Sequence, residues 1–273
     1  MKKNIEITQD AYGVLMAHSA KSNIEQIAEQ VRMLGYGVID SGMNAEQVAK
    51  VGEAFDRIRV RYLKEFKVER LSKQNEQHTI RAMLIHGEPI FIRLATNPIL
   101  LEIISNLIRG KFYLNQQNGV INPPKEEFNQ GKWHRDLPYQ HFVSSTPLAI
   151  NALYCIDDFT IYNGATAVLP ATHKTEAFPS ASFIKANSKQ ITAKAGSFIV
   201  LDCMVYHKGS LNHTNHTRRA VNHVYTIPYI KQQVSFIRQM KLHDLTQEEQ
   251  QLFGYDCLEY ASIAEFLSRH AHG

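Results

Sequence analysis

Between Lys111 and Ile230 the chain breaks into short β-forming runs, at 111–122, 147–156, 165–169, 190–193, 197–202 and 219–228, each bounded by turn residues. Hydrophobic side chains alternate in some runs and stand in blocks in others. A series of short strands like this is the signature of an antiparallel double sheet.

The flanks have the other periodicity. Ile24, Ile27, Val31 and Leu34 recur at helical spacing, with Ser22 or Asn23 as N-cap and Gly35 and Gly37 as the stop. Gly37-Val38-Ile39 reads as a short strand. Asn44 can cap a second helix with Val48, Val51, Phe55, Ile58 and Val60 as its apolar stripe. Leu63 to Glu88 is polar and mixed, and reads as loops with short helical pieces that could cover an active site. Asn97-Pro98 starts a third helix, closed by Gly110. Helix returns at Thr246–Glu249 and Ala261–His270. Residues 1–20 show no clear period and read as a loosely held arm.

With 273 residues, 44% of them hydrophobic, the chain can bury one large core. The expected fold is α+β: a double-stranded β-helix, the cupin-like jelly roll, at 111–230, with a helical N-terminal part at 22–110 and C-terminal helices at 246–270, all in a single domain over 1–273.

Chemistry concentrates at Trp133-His134-Arg135-Asp136. On extended backbone His134 and Asp136 share a face and can grip one metal ion from one side. Alone, such a triplet is most often a surface turn. His207, which follows the strand-like run 196–202 and precedes the small, polar loop Lys208-Gly209-Ser210, is the best candidate for a third ligand, with His213, His216 and His223 as competitors. What favours His207 is Arg218, eleven residues later at the start of the next strand-like run. A loop of that length lets the chain reverse, so that a planar guanidinium can take a carboxylate beside the metal. Two histidines and one carboxylate leave three coordination positions open, the set of non-haem iron(II) oxygenases.

Taken together, Trp133-His134-Arg135-Asp136, the stretch from Asn163-Gly164 through Leu169-Pro170-Ala171-Thr172-His173-Lys174, and His207-Lys208-Gly209-Ser210 with Arg218-Arg219-Ala220 resemble the phytanoyl-CoA dioxygenase family. The resemblance runs from about residue 30 to 255 and includes Leu252-Phe253-Gly254-Tyr255. It implies an iron(II)- and 2-oxoglutarate-dependent oxygenase, consuming O2, releasing succinate and CO2, and served in vitro by ascorbate. It implies that His134, Asp136 and His207 bind iron and that Arg218 holds the distal carboxylate of 2-oxoglutarate. Gln117, Asn151 and Ser210 stand where the family places cofactor-contacting side chains, although Lys208 departs from the family's His-Gly-Ser. His173 reads as structural. Related halogenases have a small residue in place of the carboxylate, so Asp136 implies hydroxylation or another oxidation and not halogenation.

Substrate is less legible. Tyr139, Gln140 and His141 follow the ligand pair and are the candidate pocket residues, with lids at 63–90, 138–146 or 176–188. A small-molecule metabolite is the expected substrate. Net charge is +4, too mild for a nucleic-acid binder. No apolar run reaches 18 residues and no apolar stretch follows the first lysines, so neither a membrane span nor a secretory signal is expected. Three cysteines without a CxxC pair fit reduced thiols and a cytoplasmic location. Monomer and homodimer both stay open. Two other readings are a jelly-roll metalloenzyme without 2-oxoglutarate, such as a cupin-like dioxygenase or isomerase, and a non-catalytic binding barrel.

Overall fold

Two local signals at the N-terminal side set the first helix and its exit. Ser22 accepts from the Glu25 backbone N–H while Glu25 reaches back, a capping box, and Gly35 at φ 84° ends the helix left-handed. A computed structural model describes residues 12–14 and 19–270; most of the arm expected at 1–20 lies outside the described residues.

The described strands are β1 (Tyr36–Asp40), β2 (Thr79–Ile80), β3 (Tyr113–Asn122), β4 (Ala149–Cys155), β5 (Thr166–Val168), β6 (Lys189–Gln190), β7 (Ser197–Asp202), β8 (His207–Gly209) and β9 (Arg218–Thr226). The described helices are α1 (Asn23–Leu34), α2 (Ala45–Phe66), α3 (Val68–Lys73), α4 (Ile90–Ala95), α5 (Pro98–Leu107), α6 (Ala181–Asn187), α7 (Gln247–Leu252) and α8 (Ile263–His270).

One sheet has the order β1-β7-β4-β9-β3-β2 and the other β6-β5-β8, with every strand pairing antiparallel. A bridge from His134 to His207 extends the smaller sheet by one extended segment. This is the expected jelly roll. Alternation along the strands divides the apolar side chains. Ile150, Ala152, Tyr154, Phe198, Val200, Val221 and Tyr225 face the helices and join the large core with Phe55, Ile58 and Ile103. Cys155, Ile199, Leu201 and Ala220 point the other way, into a smaller core between the sheets with Phe159, Val168 and Val205. Burying each large aliphatic or aromatic side chain contributes roughly 1.5–3 kcal/mol. Gly119 of β3 lets Phe55 close on the sheet, since a Cβ there would lie 2.7 Å from its ring.

Several expectations need correction. α2 runs on to Phe66, and Val60, placed in its apolar stripe, is 69% exposed; Tyr62 takes that place two positions on. The segment from 63 to 88 is not mostly loop: it holds the end of α2, α3, β2 and a 3-10 turn at Met83–Ile85. α5 ends at Leu107, ahead of Gly110. α4 and α6 were not expected. Lys208 and Gly209 belong to β8 rather than to a loop. The stretch Ile90–Leu107 is long and apolar enough on average to match a membrane span by length and composition alone. It is two helices broken at Asn97-Pro98, however, and Phe91, Leu94, Leu100, Ile103 and Ile104 are buried in the core.

Candidate metal centre

The two sheets meet at the metal-ligand candidates. His134 and His207 exchange backbone hydrogen bonds, from His134 N to His207 O at 3.0 Å and from His207 N to His134 O at 3.1 Å. Asp136 N donates to Cys203 O at 3.0 Å, which turns the chain so that the Asp136 side chain returns to the same side. Two extended segments thus bring His134, Asp136 and His207 together, with their ligand atoms all within 4.8 Å of one another.

Each imidazole is aimed by its own backbone. His134 Nδ1 lies 2.8 Å from Lys132 O, and His207 Nδ1 lies 3.0 Å from Val205 O. Both Nδ1 atoms are therefore donors, which leaves each Nε2 lone pair free for a metal. His207 Nε2 is 3.5 Å and His134 Nε2 4.0 Å from Asp136 Oδ1. Metal bonds of about 2.1 Å at right angles set ligand atoms roughly 3 Å apart, so the set needs only small side-chain rotations to close on an ion. Asn151 Nδ2 donates to Asp136 Oδ2 at 2.8 Å, leaving Oδ1 to face the imidazoles.

Burial pushes the Asp136 carboxyl up, but His207, His134 and the Asn151 amide together overcome it and hold the group at about 2. His134 is pulled down by burial and by His207. His207 is pulled down by burial, yet the Asp136 carboxylate raises it overall. A metal ion binds only the deprotonated forms of these groups, so it would displace any proton they carry.

Arg218 lies at the start of β9, buried, on the strand face that looks into the barrel. Its guanidinium carbon sits 3.8 Å from the centre of the Phe159 ring. Burial lowers its pKa to about 10, so it stays cationic at neutral pH. Nε and Nη1 are buried with no hydrogen-bond partner. An unpaired buried guanidinium is costly, and here it lines the same cavity as His134, Asp136 and His207. The residues present therefore fit a metal chelated by an anionic ligand: two nitrogens and one oxygen at one end, and a fork of unused donors at the other.

Asn151 reaches the site, but through Asp136. Gln117 does not reach it. Its side chain is on the opposite face of β3, where Nε2 donates to Phe91 O at 2.7 Å and lies 3.0 Å from His223 Nε2. A shift of one residue along a strand moves a side chain to the other face. Ser210 contributes a backbone carbonyl to Asn122 and does not line the cavity; Gly209 takes that place, pressed against Phe128. Tyr139, Gln140 and His141 do not line it either. Tyr139 is 64% exposed beside His141 and Phe142, and the Gln140 carbonyl accepts from Arg135.

Of the competitors, His213 and His216 are exposed, and His223 faces the helices. His173 is buried against Arg32 O, as a structural residue would be. Two residues that carry the site were missed. Arg135, between the ligands, points the other way and donates to the carbonyls of Gln140, Glu176, Thr172 and Thr175. Asn222 lines the cavity at the spacing of four from Arg218 that alternation puts on the same face.

The fold recurs in known proteins. A protein of Mycobacterium tuberculosis, Rv1501, is 28% identical over 222 residues, 80% of each chain. The crystal structure of EctD from S. alaskensis with 2-oxoglutarate and 5-hydroxyectoine superposes with a TM-score of 0.64 at 22% identity, over 83% of this chain and 80% of that one. The 2-oxoglutarate-dependent epimerase SnoN from nogalamycin biosynthesis gives 0.56 at 20%, over 74% and 80%. At these identities the structures establish the fold. The sequence model that describes phytanoyl-CoA dioxygenase matches residues 31–220, well over half of the 273. The chain belongs to the phytanoyl-CoA dioxygenase family.

Proposed function

We propose that the protein is a non-haem iron(II)- and 2-oxoglutarate-dependent dioxygenase that hydroxylates a C–H bond of a small molecule. The observation that carries this reading is the unpartnered Arg218 guanidinium on the same cavity as a two-histidine, one-carboxylate ligand set. Iron bound by His134, Asp136 and His207, with 2-oxoglutarate and O2, would supply an oxidative decarboxylation to succinate and CO2 that oxidises the substrate.

The chain's own residues prepare for that chemistry. The carbonyls of Lys132 and Val205 fix the imidazole tautomers, and Asn151 fixes the carboxylate. Arg218 would take the distal carboxylate of the keto-acid in paired, charge-assisted hydrogen bonds. Val120, Phe128, Leu153 and Leu201 line the inner cavity and limit water there. Because Asp136 occupies the carboxylate position, the reading favours hydroxylation over halogenation. Support comes from relatives as well: an EctD structure contains bound Fe, and a fungal relative is named a dioxygenase.

The test is anaerobic addition of iron(II), ascorbate and 2-oxoglutarate. A weak visible charge-transfer band is expected, lost in Arg218→Ala at modest 2-oxoglutarate. No band in the wild-type protein would overturn the reading. With substrate, the product should gain one oxygen atom.

A further inference from the structure

A second cavity, of about 250 Å³, adjoins the ligand set. It shares His134 and Asp136 with the inner cavity, but not His207 or Arg218. Its lining is unusual in composition. Gln116, Asn118, Asn129, Gln130, Asn222 and Gln233 all contribute, and Val224 is the single apolar side chain among the described residues there. Its charged side chains apart from Asp136 are Arg81 and Lys132.

Those carboxamides are partly spoken for, and what is left over points at a ligand. Asn118 Nδ2 donates to Gln116 Oε1 at 3.0 Å, and Asn118 Oδ1 accepts from Ala82 N at 3.1 Å. Gln233 Oε1 accepts from Arg81 Nη1 at 3.3 Å, while Glu76 holds the rest of that guanidinium. The Gln116 and Gln233 amide nitrogens remain as donors. Asn222 Oδ1 is buried without a partner, an acceptor at the junction of the two cavities. An amide both donates and accepts, which matches hydroxyl and amide groups and gives nothing to a hydrocarbon chain. An acyl chain seated here would strip water from six carboxamides and two cations without replacing its hydrogen bonds.

We infer that this cavity takes a small, polar substrate rich in hydroxyl, amino or amide groups and carrying at most one anionic group, rather than a fatty-acyl thioester. The inference rests on the oxygenase reading above. Asn222 Oδ1 accepts a hydrogen bond from the substrate next to the metal ligands, Gln116 and Gln233 bind its flanks, and Lys132, whose charge is not already matched as that of Arg81 is by Glu76, meets its anionic group.

The test separates this inference from the reading it rests on. The iron- and 2-oxoglutarate-loaded protein is first checked for its anaerobic charge-transfer band; absence of the band sinks the oxygenase reading itself. Loaded protein is then given the aqueous and the chloroform phases of a partitioned cell extract, with palmitoyl-CoA as a separate probe, and succinate release is measured. Stimulation of at least fivefold by the aqueous phase alone is expected. The Gln116→Leu/Gln233→Leu double variant should keep the charge-transfer band but lose at least tenfold of that stimulation. Stimulation by the chloroform phase or palmitoyl-CoA instead, or by neither, overturns the inference. So does a double variant that responds like wild type.

Discussion

His134 and His207 face each other as a reciprocally bonded backbone pair, with ring centroids 4.4 Å apart. Two residues 73 positions apart in sequence are thereby set at ladder spacing. The third ligand follows two residues after the first. The centre is thus positioned by sheet hydrogen bonds rather than by flexible loops.

Asn151 is the first target. Its amide holds Asp136 at 2.8 Å, so Asn151→Ala should weaken ferrous or cobaltous binding roughly 10–100-fold, the usual cost of losing such a support. Asp136→Ala should weaken it further and abolish turnover. Calorimetric titration of the metal reads both.

Arg218→Ala should weaken 2-oxoglutarate by about 2–3 kcal/mol, or on the order of 100-fold, as charge-assisted bonds are lost. Arg218→Lys should restore little of this, because an ammonium cannot match the planar fork stacked on Phe159. Titration of the charge-transfer band gives both affinities.

Arg135 tests architecture rather than chemistry. It is buried, its guanidinium lies 4.1 Å from the centre of the Tyr206 ring, and it donates to four carbonyls. Arg135→Met leaves those carbonyls without their donor. The expected loss is about 3 kcal/mol, which for a chain of this size lowers Tm by roughly 6–12 °C. Thermal unfolding of the metal-free protein measures it, and an unchanged Tm would rule the role out.

How much of this was legible follows from which faces are buried. The ligand pair could be read because His134 and Asp136 flank a residue of opposite direction, and His207 because Arg218 follows it at loop distance. Gln117 was misplaced for a physical reason. Asn115-Gln116-Gln117-Asn118 is a run of four carboxamides on a strand buried on both faces, so polarity does not alternate and parity cannot be read. The short strands β2 and β8 have too few residues to show a period. Arg135 was hidden by its neighbours, whose chemistry gave no hint of the carbonyls it meets.

His223 should make stability depend on pH. Burial lowers its pKa to about 4, against about 6.5 in an unfolded chain. Above pH 6.5 both states are neutral at this site and its full stability is present. As pH falls from 6.5 to 4 the unfolded state gains the proton first, and about 3 kcal/mol is lost. Urea unfolding between pH 7.5 and 4.5 should show a shallower decline for His223→Gln than for wild type.

The stacked, unmated cation at residue 218 ties the endurance of the barrel to nutrition. Bound as proposed above, a keto-acid that supplies its missing acceptors would favour the folded chain over the unfolded one, and at a hundred times its dissociation constant would add about 2.7 kcal/mol. In a cell starved of that acid, the same polypeptide would melt sooner and be cleared faster, before any turnover is measured.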